Sequence, residues 1–117
     1  MIFYRGYKSK YGFDSKYSFI WLSDDADYAY EYGDSVKSLE IAISDLHFAD
    51  LSTLEDTCTI LGYDYLDAIY NPSEEFADYL KTCGFNAYSI EPCDYKCCCI
   101  LDKTLFKTTV TMKFRLI

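Results

Sequence analysis

Histidine is nearly missing from this chain of 117 residues, and Cys-x-x-Cys pairs are missing altogether. The one histidine, His47, lies between Leu46 and Phe48 with no Ser or Cys pattern beside it. Neither a paired-His metal motif nor a nucleophile–His array can be built around it, and a partly buried structural role is expected. There is no Gly-rich phosphate-cradling motif, and no apolar run approaches the ~20 residues needed to cross a bilayer. The opening MIFYRGYKSK lacks the basic-then-apolar layout of an export signal, so a cytoplasmic protein with reduced thiols is expected. Bases are scarce too: 11 Lys and Arg face 19 Asp and Glu, for a net charge of −8. That balance argues against direct nucleic-acid binding, which needs cations gathered on one face. The acids run along the whole chain, whereas Arg5, Lys8 and Lys10 form one mild basic cluster suited to a small anionic ligand.

What the chain does have is apolar and aromatic mass. Half of it is hydrophobic, with 13 Tyr and 8 Phe, enough for one core and one domain over residues 1–117. Tyrosine offers an apolar ring with a polar tip, so most of these rings should fill the core while some line a cleft. Of the six cysteines, Cys97, Cys98 and Cys99 are consecutive. In a strand, Cys97 and Cys99 face one side and Cys98 the other, which does not gather three thiolates on one metal. They are expected to act as small buried hydrophobes in a central strand, with no structural metal.

The pattern of elements predicts an α+β domain with a mainly antiparallel sheet and a few short helices. Strands are expected at 2–6, 18–22, 36–43, 86–90, 97–101 and 108–116. A helix should start at Ser23-Asp24-Asp25, whose side chains can accept its unpaired amide protons, and stop at Gly33. One or two short helices are expected within 45–71, where Leu54, Cys58 and Leu61 share helical spacing, as do Leu66 and Tyr70. Pro72-Ser73-Glu74-Glu75 should begin another, presenting Phe76, Tyr79, Leu80 and Cys83 and ending at Gly84.

Three segments, in order, carry a resemblance. They are Phe3-Tyr4-Arg5-Gly6; then Phe19-Ile20-Trp21-Leu22-Ser23-Asp24-Asp25-Ala26 with Tyr28-Ala29 and Tyr32-Gly33; and then Leu80-Lys81-Thr82-Cys83-Gly84-Phe85-Asn86-Ala87 with Cys99-Ile100-Leu101-Asp102 and Leu105-Phe106-Lys107. Together they resemble the ADP-ribosyltransferase-like superfamily over about two thirds of the chain, leaving 45–71 outside it. The resemblance implies an ADP-ribosyltransferase-like fold and NAD as co-substrate. It implies transfer to an intracellular protein target, as in compact phage-encoded or toxin-type effectors, an anti-CRISPR protein among them. Carried over by position, Arg5 and Gly6 would meet the NAD ribose or a phosphate, Ser23 would support the ribose-binding strand, and Trp21 or Tyr28 would stack the nicotinamide.

The chain departs from that pattern at the acid. Where the family has its glutamate, Cys97 or Lys96 stands here, and the nearest carboxylates are Glu91 and Asp94. Breaking the nicotinamide–ribose bond develops positive charge on the sugar, which a nearby carboxylate stabilises. Glu91 and Asp94 are therefore the candidate catalytic acids. Two other readings remain open. One is a catalytically degenerate module of the same fold; the other is an acidic inhibitor that imitates nucleic-acid phosphates.

Overall fold

The protein is described by a computed structural model covering residues 1–91 and 94–105, together with the backbone of 108–113. Pro92 and Cys93 of the expected turn, Phe106 and Lys107 of the closing motif, and the end of the last expected strand lie outside the described residues. The chain forms two three-stranded antiparallel sheets and four short helices. β1 (Ile2–Tyr7), β3 (Ser35–Glu40) and β6 (Thr108–Lys113) make one sheet with β3 in the middle. β2 (Ile20–Leu22), β5 (Asp94–Ile100) and β4 (Ala87–Glu91) make the other with β5 in the middle.

Strand alternation divides the core in two. On one face of β5, Cys98 and Ile100 join Ile20, Leu22 and Ala87 and pack between the sheets against Phe3, Leu39 and Ile41. On its other face, Cys99 lies beside Trp21 and Tyr88, under the helices. Phe76, Ala77 and Leu80 of α4 (Glu74–Thr82) cover that face with Leu54 and Cys58 of α2 (Leu51–Leu61) and Ala68 and Ile69 of α3 (Tyr65–Tyr70). Tyr88 is fully buried, and its hydroxyl donates to the Ile69 carbonyl at 2.8 Å, so its polar end is satisfied. Phe76 is equally buried, and truncating such a ring costs about 3–5 kcal/mol.

The helix boundaries follow from local chemistry. Asp50 caps α2 by accepting from Thr53 N at 2.8 Å, and Gly62 ends it in the left-handed region at φ 76°. Ser73 caps α4 by accepting from Phe76 N at 3.1 Å, and Gly84 follows at φ 96°. α1 (Ala26–Tyr30) is only five residues long. It is shorter than the helix expected to run to Gly33.

Several expected faces are corrected. Leu66 and Tyr70 share helical spacing, but both are more than half exposed, and α3 turns Ala68 and Ile69 inward instead. Cys83 is exposed at the end of α4, where the buried stripe is Phe76, Ala77 and Leu80. His47 is exposed; its amide donates to Asn86 Oδ1 at 2.7 Å and its carbonyl accepts from Asn86 N. β3 ends at Glu40, before a short 3-10 turn at Ile43–Asp45 that takes Ile43 out of the strand. Both faces of β3 are covered, since Val36 and Leu39 point to opposite sides and are both fully buried.

The buried thiols set a pH limit on stability. Burial raises Cys98 to about 12, with Asp24 adding to the effect, and raises Cys99 further against a partial offset from Tyr88. Both folded values lie above the unfolded thiol value of about 8.5, so this stabilisation is complete below about pH 8.5 and is lost as pH rises toward the folded values. Each such thiol removes roughly 1.4 kcal/mol of stability per pH unit in that window. Under reducing conditions the melting temperature should therefore fall steeply from about pH 8.5 to pH 10.5. The Cys98→Ala variant should show a shallower fall, and an unchanged pH slope would refute this account.

Candidate functional site

Two backbone hydrogen bonds join the sheets. Tyr4 N donates to Ser23 O at 2.6 Å, and Ser23 N donates to Tyr4 O at 2.8 Å. The pair couples the middle of β1 to the residue just after β2. The chain then turns sharply: Ser23 Oγ accepts from Asp25 N at 3.0 Å, and Asp25 Oδ1 accepts from Asp27 N and Tyr28 N. Ser23 is almost fully buried, so its hydroxyl serves this turn. The turn starts α1 and carries Tyr28 and Tyr32 to a cleft of about 640 Å³ beside the junction.

Arg5, Gly6, Trp21, Ser23 and Tyr28 all line this cleft. Arg5 uses part of its donor fork on the protein: Nε donates to Phe13 O at 2.5 Å, and Nη1 to Trp21 O at 3.2 Å. Among the described residues its Nη2 has no hydrogen-bond partner. Burial lowers the Arg5 pKa, with Asp14 pulling the other way, and an arginine so placed remains charged. Trp21 packs edge-to-face on Tyr88 with ring centroids 5.8 Å apart, so its ring is held by the core while also bordering the cleft. Tyr28 and Tyr32 share a hydrogen bond between hydroxyls at 2.6 Å, and the Lys96 ammonium lies 5.3 Å from the centre of the Tyr28 ring.

Gly6 has a packing reason of its own. A Cβ there would stand 1.7 Å from the Ala29 carbonyl oxygen, because α1 lies directly on β1 at this point. Gly33 meets the Tyr7 carbonyl in the same way, at 2.1 Å. Both glycines let the helix segment and the strand approach closely enough to shape the cleft wall.

Glu91 and Asp94 do not line the cleft. They face each other where β4 and β5 meet, and both are exposed. Asp94 Oδ1 accepts from Lys96 N at 2.9 Å. At the usual strand rise, three residues put Asp94 roughly 10 Å along β5 from Cys97, which does border the cleft. Asp14 is the one carboxylate among the described lining residues. It pairs with Lys103 at 2.8 Å, and that contact holds its pKa below the ordinary aspartate value.

Several lining residues were not singled out as site residues from the sequence, among them Tyr4, Tyr7, Tyr32 and Tyr70. Cys97, which stands where the resemblance would place the family's glutamate, does border the cleft. The register Leu22↔Cys98, continued by one residue, puts Cys97 opposite Ser23. Its thiol is raised by burial and by Asp94, with a hydrogen bond from Tyr28 acting in the opposite direction. A thiol so raised is protonated at neutral pH and is a poor nucleophile. Among the described residues, no group of three or more His, Cys, Asp or Glu side chains is placed to hold a metal ion.

No family model matches the chain, and neither does any curated protein or solved structure.

The contact at Gly6 can be tested directly. Gly6→Ala should destabilise the protein by at least ~2 kcal/mol, because the added carbon collides with backbone. Gly12→Ala meets open space and should cost only the left-handed strain at φ 84°, about 1 kcal/mol. Urea denaturation of the two variants reads the difference. Equal stabilities would mean that α1 does not rest on β1.

Proposed function

We propose that this chain is an ADP-ribosyltransferase-like module whose cleft binds NAD. One observation carries the reading. Arg5 and Gly6 come from β1, Trp21 and Ser23 from the end of β2, and Tyr28 from α1, yet all five border one cleft. The resemblance had assigned these same residues to NAD. The cleft volume of about 640 Å³ falls within the range of roughly 300–1,000 Å³ typical of small-molecule sites. Its aromatic walls offer ring faces for a flat heterocycle, and Arg5 and Lys8 supply positive charge for an anionic group.

Geometry favours binding without turnover. Transfer needs a carboxylate at the sugar carbon where charge develops. Asp14 is committed to Lys103, while Glu91 and Asp94 stand off the cleft. The mimic of nucleic acid is less favoured, because many acids already serve local structure. Asp25, Asp50 and Asp64 cap helices, Asp34 binds Ser9, and Glu74 binds Ser18.

Trp21 is the only tryptophan and borders the cleft, so its fluorescence is a reporter placed at the site. Titration with NAD should change that emission saturably, and Tyr28→Ala should weaken the affinity about tenfold, a loss of ~1.4 kcal/mol. Arg5→Lys is the better probe of the charge than Arg5→Ala, since removing the side chain would also release Phe13 and Trp21. Labelled NAD incubated with cell lysate should leave no protein-linked label. Label transfer would restore the transferase reading, with Glu91→Gln and Asp94→Asn then locating the acid. No response of Trp21 to millimolar NAD or ADP-ribose, with no heat of binding, would sink the NAD assignment.

A further inference from the structure

A second concavity lies beside the helices. It is a groove of about 220 Å³ where the start of α2, α3 and the edge strand β4 meet. Phe48, Leu51, Leu54, Tyr65, Ile90 and Tyr95 form its walls. Leu51 is 46% exposed at the rim, although it is a large apolar side chain on a helix with a covered inner face. The volume suits one large apolar side chain, the kind of anchor on which protein interfaces concentrate their binding energy.

The charge around the groove has one sign. Residues 41–80 hold nine Asp and Glu and no Lys or Arg, whereas the remainder of the chain holds ten acids and 11 bases. The molecule's negative charge thus resides on the segment that builds α2, α3 and most of α4. Lys81 is the only base on these helices, and it pairs with Asp78 at 3.4 Å. Asp50 lines the groove itself, while Glu55 and Glu91 adjoin the lining residues Leu54 and Ile90 in sequence. Both carboxylates act on the Tyr65 phenol, whose pKa is raised first by burial and then by these two charges. The nearest lysine in sequence, Lys96, holds its ammonium over the Tyr28 ring at the cleft, and among the described residues no salt bridge is made to Asp50, Glu55 or Glu91. His47, next to Phe48, is exposed.

We propose that this groove docks a basic segment of a partner protein, an apolar anchor flanked by Lys or Arg. The apolar walls take the anchor, and the carboxylates of Asp50, Glu55 and Glu91 take the flanking cations. Charge decides against other occupants. A second copy of this chain in a two-fold interface would set acidic rim against acidic rim, and nucleic acid or an anionic lipid surface would be repelled. The β4 edge itself is blunted as a strand-pairing site. Its register shifts between Ser89 and Glu91, where Ser89 Oγ donates to the Glu91 carbonyl at 2.9 Å. Recognition therefore rests on the side-chain groove.

The test is a display selection on the full-length protein, using 12-residue peptides with Leu or Phe fixed at the centre and all flanking positions random. Selected peptides should be enriched in Lys and Arg flanks and should bind, by fluorescence anisotropy, more weakly as salt is raised. Glu55→Lys and Leu51→Ser, both at exposed positions, should each weaken the selected peptides at least tenfold while leaving the melting temperature and the NAD response of Trp21 unchanged. Enrichment of acidic or neutral flanks, or failure to recover any binder, would overturn the proposal. So would binders indifferent to both substitutions, a dimer in sedimentation that Leu51→Ser abolishes, or a nucleic-acid complex that Glu55→Lys disrupts. No residue lines both the cleft and the groove, so either proposal can fail without the other.

Discussion

The reciprocal pair of hydrogen bonds between Tyr4 and Ser23 is the constraint on which the other features of the site depend. β1 has β3 as its sheet partner and β2 has β5, so neither strand needs the other to satisfy most of its backbone. The bridge at Tyr4 and Ser23 ties the two sheets together beside the cleft. It also delivers Ser23 to the turn that launches α1. Gly6 then allows α1 to lie on β1, which brings Tyr28 to the same wall. Each step constrains the next, and a short bridge thereby positions residues separated by more than 20 positions in sequence.

Legibility in the sequence followed the range of the interaction concerned. Helix starts were readable where a cap is settled within three or four residues; Ser73 and the Ser23–Asp25 turn bond as their residue types suggested. Strand identity was readable for the same reason, including the central place of the cysteine run. Which face of a helix turns inward was less readable. Leu66 and Tyr70 are as apolar as Ala68 and Ile69, and only the position of α2 and α4 decides between them. The site divided along the same line. Arg5, Gly6, Trp21, Ser23 and Tyr28 could be grouped from the resemblance, whereas Tyr7 and Tyr70 reach the cleft through pairing and packing that no local pattern encodes.

Charge tells a related story. The acids run from Asp14 to Asp102, and nine of the 19 fall within 41–80. Bases are missing from that stretch. Their absence from 41–80 divides the fold into an acidic helical layer and a sheet layer that is nearly neutral, with Arg5 and Lys8 at its cleft. A field divided in this way favours anions at the cleft and cations at the helices.

Arg5 shows why structure and function are hard to separate in so compact a site. Two of its donors hold backbone carbonyls, one on the loop at Phe13 and one at Trp21 on β2, and its guanidinium carbon lies 5.9 Å from the centre of the Phe13 ring. Lys37, its cross-strand partner, also places its ammonium over that ring, at 4.7 Å. Two like charges directly opposite each other repel, and a shared aromatic face with Asp14 nearby offsets part of that repulsion. The arrangement holds the loop that forms one wall of the cleft while leaving Nη2 without a hydrogen-bond partner among the described residues. An anionic ligand there would meet a cation already fixed in place, so less side-chain entropy would be lost on binding than a free arginine would lose.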